Sequence, residues 1–325
     1  MNTPATNSAF PSPGTVPISV VILTLNEEVN IEACLRSCAW SDDVHVVDSG
    51  SKDRTVELAQ RHGAKTYFHP FESFGAQRNW AIDHTSPKHE WIFHLDADER
   101  FTPEQVAELA RTIASNPAHA GYYIPSKFMF MGRWLKRTAS YPTYQMRFFH
   151  KVRMRVPGCG HGQREETTGQ VGTLKEPYLH YALSKGLADW MDRHNRYSSK
   201  EAAQVLEAGH GPLKLGDLFS RDPVTKRRAL KSIFYRLPFR ATVRYWLTLW
   251  VRGAILEGEA GRTYAALMNV YERMITLKMR VLAASARQHA QGTHEFFERD
   301  MPAGPPPTPP TQQAPTQPPP SQLLR

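Results

Sequence analysis

The chain has 325 residues, of which 41% are hydrophobic, and a formal net charge of +9. This length is enough for one sizeable core and a smaller unit, and the positive charge favours an anionic partner such as a nucleotide, an acidic lipid or a nucleic acid. The three cysteines (Cys34, Cys38 and Cys159) lack the spacing of a zinc site, and so few thiols suit a reducing compartment. No uncharged apolar run reaches about 18 residues, so no membrane-spanning helix is predicted.

The two ends of the chain differ in composition from its middle. Residues 1–16 are polar and rich in Pro, Ser and Thr, without the apolar core of a signal peptide, and residues 291–325 are rich in Pro, Thr and Gln. Neither composition can bury a core, so both ends are predicted to be disordered. Between them we expect one domain over residues 17–186 and a basic, helical region over residues 187–290.

The first half of the chain alternates predicted strands with predicted helices. Apolar runs rich in β-branched and aromatic residues predict strands at 18–23, 44–47, 65–68 and 91–95. Cap residues and helix-ending glycines predict helices at 31–37 (after Asn30), 53–62 (before Gly63), 75–84 and from Thr102-Pro103 onward. This alternation predicts an α/β fold with three layers and a mostly parallel sheet.

Polar segments follow three of these strands, at 24–28, 48–55 and 96–99. Ligands of parallel sheets bind at the carboxyl ends of strands, where these segments would meet. If residues 96–98 are extended, the carboxylates of Asp96 and Asp98 share one face, and such a pair suits a divalent metal that holds a phosphate. The alternatives are a solvated acidic turn at Asp96 and a plain helix start at Asp53.

Four segments, in order, resemble the successive motifs of family 2 inverting glycosyltransferases. They are ISVVILTLNEE (18–28), VVDSGSKDRT (46–55), FGAQRNWAI (74–82) and FHLDADE (93–99). The resemblance extends over about residues 17–278, and residues 141–149 and 179–181 also resemble the branch of lipopolysaccharide-core β-glucosyltransferases. It implies a Rossmann-like GT-A fold with a C-terminal helical extension. The chain has neither a P-loop motif nor G-x-G-x-x-G after its first strand.

The resemblance also implies a donor site for a nucleotide-diphosphate sugar, with UDP as the preferred nucleotide. The residues implied to contact the donor are Thr24, Asn26, Glu27, Asp48, Gln77, Arg78, Asn79 and Asp96. Asp48 would hold the base, and Asp98 would be the principal ligand of Mg²⁺ or Mn²⁺, with Asp96 at the ribose or the metal. The metal would neutralise the charge of the leaving diphosphate.

An inverting transfer also needs a base that takes the proton of the acceptor hydroxyl. Related enzymes often carry His-Glu at the corresponding place, but this chain has Arg164-Glu165, with His161 upstream. We favour Glu165 as the base, with Glu166 and His161 as alternatives. The alternative interpretation is that these residues form a solvated acidic loop without a catalytic role.

Two further side chains have open interpretations. His180 is a third metal ligand, a phosphate contact or a structural residue. Arg147 either faces the donor diphosphate or pairs with an acidic residue.

The last third of the chain has a different character. Helices are predicted at 187–206, 229–237, 241–257 and 262–286, and between Arg221 and Arg244 eight basic residues occur with one acidic residue. Interleaved aromatic residues suit either an anionic membrane surface or a helical subdomain that packs its aromatic side chains. No nucleic-acid module is recognised, so no nucleic-acid partner is expected.

These features together predict a cytoplasmic glycosyltransferase, peripheral on the inner face of the cytoplasmic membrane, that builds a lipopolysaccharide core or another surface glycan. Its partners would be a nucleotide-sugar donor and a glycan or lipid-linked acceptor. One alternative is a sugar nucleotidyltransferase, although the Gly-rich phosphate loop of that class is missing after the first strand. The other alternative is a non-catalytic protein that binds sugar nucleotides or acts as a membrane scaffold.

Overall fold

A computed structural model describes residues 9–115, 117–155, 166–167, 169–207, 215–220 and 239–290, together with single or paired positions between 222 and 237. The chain divides into two compact units. The first comprises the residues up to Arg193 and Phe239–Val270, and the second comprises His194–Pro238 and Tyr271–Arg325. The predicted limits 17–186 and 187–290 differ from this division at 187–193 and at 239–270, and they stay a prediction.

Ten of the described strands form one sheet in the first unit, in the order β3-β2-β1-β4-β8-β6-β12-β5, with β7 and β11 paired to β6. The described strands are β1 (Ile18–Thr24), β2 (Val44–Asp48), β3 (Lys65–Phe68), β4 (Trp91–Asp96), β5 (Glu99–Arg100), β6 (Gly121–Phe130), β7 (Arg133–Trp134), β8 (Thr143–His150), β9 (Met154–Arg155), β10 (Glu166–Thr167), β11 (Val171–Thr173) and β12 (Tyr178–His180). Strands β1 to β4 pair in parallel, and β8 pairs antiparallel with both β4 and β6. The predicted α/β fold with a largely parallel sheet is confirmed.

The described helices follow the predicted alternation in the first half of the chain. They are α1 (Ile31–Ser37), α2 (Thr55–Arg61), α3 (Phe74–His84), α4 (Pro103–Ala114), α5 (Gly186–Glu207), α6 (Arg240–Trp246) and α7 (Gly258–Ala290). Short helical turns occur at Leu215–Phe219, Leu247–Val251 and Ala254–Glu257. The long helices α5 and α7 confirm the predicted helical extension, and within the described residues no helix is both long and apolar enough to cross a membrane.

Strand β1 shows why the sheet has helices on both faces. Ile18, Val20 and Ile22 belong to one buried apolar cluster, whereas Val21 belongs to a second cluster that includes Ala81 of α3. Alternate residues of a strand point to opposite faces, so a strand buried on both faces is apolar throughout. The continuous apolar run that predicted this strand is therefore explained by the central position of β1 in the sheet.

The register of the parallel strands brings their polar ends together. Thr24 of β1 is opposite Asp48 of β2, and Leu23 of β1 is opposite Asp96 of β4. The carboxyl ends of these three strands therefore meet at one edge of the sheet, as the pattern of polar segments predicted.

Three local predictions are corrected by the structure. Asn30 precedes α1, but its side chain does not cap the helix and instead donates to Glu27 Oε2 at 2.8 Å. Residues 96–98 are not extended, because β4 ends at Asp96 and the chain turns before β5. The predicted helix 241–257 is broken, since Gly253 has φ of +75° and cannot continue a right-handed helix.

The prediction that both ends are disordered stays a prediction, although the structure describes the last residues of the first of them. Near the first strand, the Gly14 N–H donates to the Trp40 carbonyl at 3.0 Å, and Val16 is buried, so residues 14–16 pack on the first unit. Residues 1–8 and 291–325 lie outside the described residues. Residues 231, 232, 235 and 236 of the predicted helix 229–237 lie outside them as well.

Candidate active site

The carboxylate of Asp48, at the end of β2, organises the loop that follows it. Its Oδ1 accepts hydrogen bonds from Thr24 Oγ1 at 2.9 Å and from the Ser51 hydroxyl, and its Oδ2 accepts from the backbone N–H groups of Gly50 at 2.9 Å and Ser51 at 2.8 Å. Gly50 has φ of +100°, which lets the loop curl back onto the carboxylate. A carboxylate accepts about four hydrogen bonds, so these donors occupy its oxygens. Asp48 shapes the loop, and its contact with the nucleotide base stays a prediction.

Asn26 joins the loop after β1 to the loop after β2. Its N–H donates to Ser51 Oγ at 2.8 Å, and its Oδ1 accepts from the Lys52 N–H at 2.8 Å. Asn26 has φ of +54°, a left-handed conformation that Asn adopts more readily than most residues. The next N–H, from Glu27, donates to Thr55 Oγ1 at 2.7 Å. The two loops are thereby joined into one wall at the edge of the sheet.

Glu27 is held within this wall by a lysine from much later in the chain. Its Oε1 lies 2.5 Å from Lys185 Nζ, and its Oε2 accepts from Asn30 Nδ2 at 2.8 Å. Burial raises the pKa of Glu27, against the lowering effect of the hydrogen bonds from Lys185 and Asn30. Lys185 also donates to the Leu25 carbonyl at 3.1 Å, so it fixes the loop after β1 at two points.

Helix α3 places three of the predicted residues. Gln77 is buried, and its Nε2 donates to Ser49 Oγ and to the His69 carbonyl, each at 3.0 Å. Gln77 therefore ties the ends of β2 and β3 to the helix. Arg78 is also buried, whereas Asn79 is half-buried.

Arg147 on β8 joins two carboxylates of the 96–99 segment. Its Nη2 lies 2.5 Å from Asp96 Oδ2 and 2.5 Å from Glu99 Oε1, and its side chain is 2% exposed. Glu99 Oε2 accepts the Asp96 N–H at 2.9 Å, which fixes the turn after β4. The Arg147 guanidinium also lies over the Tyr178 ring, 5.7 Å from its centroid. In this structure Arg147 pairs with acidic residues, the second of its two predicted interpretations.

Burial and charge move the pKa values around this arginine in different directions. Burial tends to raise the pKa of Asp96, but Arg147 and Arg78 outweigh it and hold that pKa well below its ordinary value. Glu99 is fully buried, and burial raises its pKa to about 7 despite the nearby Arg147. Burial, reinforced by Arg78 and Arg147, lowers the pKa of His94 well below its ordinary value. Asp96 is therefore charged and His94 neutral at neutral pH.

Asp98 lies in the turn after β4, next to His180 of β12. Its Oδ2 is 3.5 Å from His180 Nε2, and the two side chains are 21% and 25% exposed. Burial tends to lower the pKa of His180, but the hydrogen bond and charge of Asp98 outweigh it and raise that pKa. The structure thus brings together Asp98 and His180, whereas the carboxylate of Asp96 faces Arg78 and Arg147.

The two aspartates can be tested as ligands for the predicted metal. Within the described part of the chain, no group of three or more His, Cys, Asp or Glu side chains has the arrangement of a metal site. The side chains of Asp96 and Asp98 are nevertheless 36% and 21% exposed. Mg²⁺ is typically bound by one or two carboxylates and completes its shell with substrate phosphates and water. The donor set would fit such an ion, and Asp98 would be the more available ligand because Asp96 already pairs with Arg147.

The predicted base falls largely outside the described region. Glu165 and His161 are not among the described residues, and Glu166 is described only as the first residue of β10, whose backbone pairs with Arg155 of β9. The three assignments therefore stay predictions.

Two residues that organise the site were not predicted. Glu99 lies in the acidic segment that begins at Asp96, so its position in the sequence could have indicated a role in the site. Lys185 is distant in sequence from Glu27, and no local pattern marks it.

Comparison with known proteins gives a family for the first half of the chain. Residues 19–166 match the model of the family described as glycosyl transferase family 2. Over 296 residues the chain is 24% identical to the lipopolysaccharide core biosynthesis glycosyltransferase LpsC of Rhizobium meliloti, and the match covers 84% of this chain and 98% of LpsC. It is 27% identical to an uncharacterized glycosyltransferase of Rickettsia bellii, covering 60% of this chain and 69% of that protein.

Two solved structures show weaker similarity. Glucosyl-3-phosphoglycerate synthase of Mycobacterium tuberculosis, in complex with Mn²⁺, UDP and glucosyl-3-phosphoglycerate, matches with a TM-score of 0.31 and 23% identity over 39% of this chain. The match spans about half of that protein's length, at 47%. S. aureus TarS 1–349 matches with a TM-score of 0.38 and 14% identity, over 87% of this chain and 94% of that one. Both TM-scores are low, so the fold assignment rests on the sheet order and the family match.

Proposed function

We propose, from the match of residues 19–166 to the family 2 glycosyltransferase model, that this chain moves a sugar from a nucleotide diphosphate to a glycan or lipid-linked acceptor with inversion at the anomeric carbon. UDP is the proposed nucleotide, and a lipopolysaccharide core is the proposed acceptor class. The observation that carries the proposal is the edge at which β1, β2 and β4 end with Thr24, Asp48 and Asp96. Ligands of open α/β sheets bind at such an edge. The similarity to LpsC over most of the chain supports the acceptor class.

Donor binding is proposed to involve two parts of this edge. The wall formed by Asn26, Glu27 and Asp48 is proposed to border the nucleoside, because its hydrogen bonds hold the two loops in a fixed arrangement at the edge of the sheet. On the other side, Arg147 is buried, and its Nε and Nη1 have no hydrogen-bond acceptor among the described residues. A buried guanidinium with N–H groups still to satisfy suits a diphosphate.

Asp98, with Asp96 and His180 beside it, is proposed to hold Mg²⁺ or Mn²⁺. When bound, such an ion neutralises the negative charge that the diphosphate acquires as it leaves. Arg147 and Arg78 contribute fixed positive charge close to the same segment.

In the transfer, the acceptor hydroxyl oxygen bonds to the anomeric carbon while the bond from that carbon to the diphosphate oxygen breaks. The nucleoside diphosphate leaves with the electron pair of the broken bond. The hydroxyl proton passes to a base, for which we propose Glu165, with Glu166 and His161 as alternatives.

The proposed place of action is the cytoplasmic side of the cytoplasmic membrane, where a lipid-linked acceptor would be within reach. The concentration of basic residues between Arg221 and Arg244 supports this location. Exposed apolar side chains on α6 and on either side of it also support this location, namely Phe239, Trp246, Trp250 and Val251.

A donor screen by isothermal calorimetry tests the proposal. UDP-, GDP- and dTDP-sugars are titrated into the full chain with and without Mn²⁺. We expect a UDP-sugar to bind and Mn²⁺ to strengthen that binding. The absence of binding with all three nucleotide sugars would overturn the donor assignment. Binding without sugar transfer to any lipopolysaccharide acceptor would favour a non-catalytic role.

A further inference from the structure

A cavity of the first unit, outside the candidate active site, is lined by cationic and polar side chains. It has a volume of about 420 Å³ and is lined by Lys136, Arg137, Ser140, Tyr141 and Arg252. Three of these five residues carry a positive charge, and none carries a negative one. Such a concentration of one sign in a concave site attracts anions.

The three cations have no acidic partner in the described part of the chain. None of the ion pairs found there involves Lys136, Arg137 or Arg252, and all three residues are exposed. The nearby carboxylate of Glu257 is buried and is used by the backbone, because it accepts the N–H groups of Arg137 at 2.6 Å and Thr138 at 2.9 Å. The described part of the chain therefore contains three cations at this cavity, one buried carboxylate behind it, and no ion pair between them.

The walls of the cavity are fixed rather than loose. Arg252 Nη1 donates to Ser140 Oγ at 3.0 Å, which joins the two sides of the cavity. Gly253 has φ of +75°, and a Cβ at this position would lie 2.9 Å from Nη1 of Arg137. Glycine here therefore permits both the turn and the close approach of the guanidinium. The hydrogen bonds to Glu257 thus fix the backbone at Arg137, and the hydrogen bond to Ser140 fixes the guanidinium of Arg252.

The sheet topology places this cavity toward the edge that carries the donor site. Strand β8 runs antiparallel to β4, with Phe148 opposite Phe93, so β8 begins at the end where β4 finishes with Asp96. Tyr141 of the cavity stands just before β8, and Arg147 of the candidate active site lies within that strand. Six residues of extended chain span about 20 Å, so a molecule that contacts both Tyr141 and Arg147 must be larger than one sugar.

We propose that this cavity binds a phosphate group of the acceptor, as a monoester or a diester. Guanidinium and ammonium groups recognise phosphate through charge-assisted hydrogen bonds, and Ser140 and Tyr141 add hydroxyl donors. That this phosphate belongs to the acceptor depends on the proposed glycosyl transfer. That the cavity binds phosphate depends only on the residues that line it. The phosphate is carried either by a phospholipid headgroup or by a soluble phosphorylated sugar. Trp250 and Val251, exposed directly before Arg252, suit the first source.

The test compares two triple variants of the full chain with equal loss of charge. The first carries Lys136→Gln, Arg137→Gln and Arg252→Gln. The matched control carries Arg36→Gln, Arg61→Gln and Arg111→Gln, which remove three exposed helix arginines elsewhere on the first unit. Inorganic phosphate and glycerol 3-phosphate are titrated by calorimetry, and vesicles of phosphatidylcholine with and without phosphatidic acid are used in flotation. All assays run at about 0.05 M ionic strength, where screening is weak.

We expect the cavity variant to bind at least one phosphate probe about tenfold more weakly than the wild type, and the control to bind it unchanged. Loss confined to the soluble probes identifies a soluble phosphate ligand, and loss confined to the phosphatidic acid vesicles identifies a lipid headgroup. Equal loss in both variants, or no loss in the cavity variant, overturns the proposal. If the triple variant does not fold, the pair Lys136→Gln and Arg252→Gln replaces it.

Calorimetry with a UDP-sugar separates this proposal from the proposed function. We expect the cavity variant to bind the UDP-sugar as the wild type does, because none of its three substitutions lies in the donor site. If the wild type binds no nucleotide sugar, the donor assignment fails. The difference in phosphate affinity between the cavity variant and the control variant then still shows whether the cavity binds phosphate.

Discussion

Nη2 of Arg147 lies 2.5 Å from Oδ2 of Asp96, so a cation within β8 is joined to the carboxylate that ends β4. The same nitrogen reaches Glu99, and the arginine side chain is almost completely buried. This contact ties the antiparallel half of the sheet to the edge where the donor is proposed to bind. A change at Arg147 should therefore affect both stability and donor binding.

We predict that Arg147→Met lowers the free energy of unfolding by about 3–5 kcal/mol, because it leaves the buried carboxylate of Glu99 without its cation. Urea denaturation followed by circular dichroism measures the change. Arg61→Met is the matched control, since the Arg61–Glu57 pair is exposed on α2. The control should lose less than about 1 kcal/mol. Equal losses in the two variants would show that the buried contact adds nothing.

Asp98→Asn is predicted to abolish metal-dependent transfer without unfolding the protein. The substitution keeps the size of a partly exposed side chain and removes the charge that a divalent cation requires. We expect the transfer rate to fall by about a hundredfold or more and the thermal midpoint to change little. Asp83→Asn, at an exposed position on α3, is the control. Wild-type rates in Asp98→Asn would end the metal assignment.

The meeting of Thr24 and Asp48 was predictable from the sequence for a physical reason. Parallel strands align their carboxyl ends, so polar residues that directly follow apolar runs must meet at one edge. The turn at residues 97–98 was not predictable in the same way. It depends on Glu99, which pairs its backbone with His180 of β12 and its side chain with Arg147, and neither partner is near in sequence.

The break in the predicted helix 241–257 has a more local cause. The apolar and basic pattern there is consistent with one helix, but Gly253 adopts a left-handed conformation that ends it. The glycine was visible in the sequence, although a glycine within a helical pattern is often tolerated. The space it leaves for Arg137 depends on the packing of two segments that are more than a hundred residues apart in sequence, so no local pattern could indicate it.

Glu165→Gln is predicted to retain donor binding and to lose transfer, because the amide cannot take the proton of the acceptor hydroxyl. Calorimetry with the donor measures the first property, and a transfer assay measures the second. Glu166→Gln is the matched control, with the same chemical change one residue away. Full transfer in Glu165→Gln combined with loss in Glu166→Gln would assign the base to Glu166.

Asp43 allows a prediction about acid stability outside the proposed site. Its buried carboxylate accepts from Ser19 Oγ at 2.6 Å, Lys65 Nζ at 2.7 Å and the Lys88 N–H at 2.7 Å, and lies 2.9 Å from His45 Nε2. Burial tends to raise the pKa of Asp43, but these hydrogen bonds outweigh it and hold the pKa far below its ordinary value. The folded state therefore keeps this carboxyl charged at pH values where the unfolded chain has already bound a proton.

The sign of the pH effect follows from proton binding. Asp43 contributes its full stabilisation above the unfolded pKa of about 3.9, and the contribution falls by about 1.4 kcal/mol for each pH unit below it. Asp43→Asn should lower the free energy of unfolding by about 2–4 kcal/mol at pH 7 and should lack this loss below pH 4. Urea denaturation at a series of pH values from 7 to 3 measures both effects, with the exposed Asp83→Asn as control. An unchanged acid slope in Asp43→Asn would mean that other carboxylates determine the acid stability of this fold.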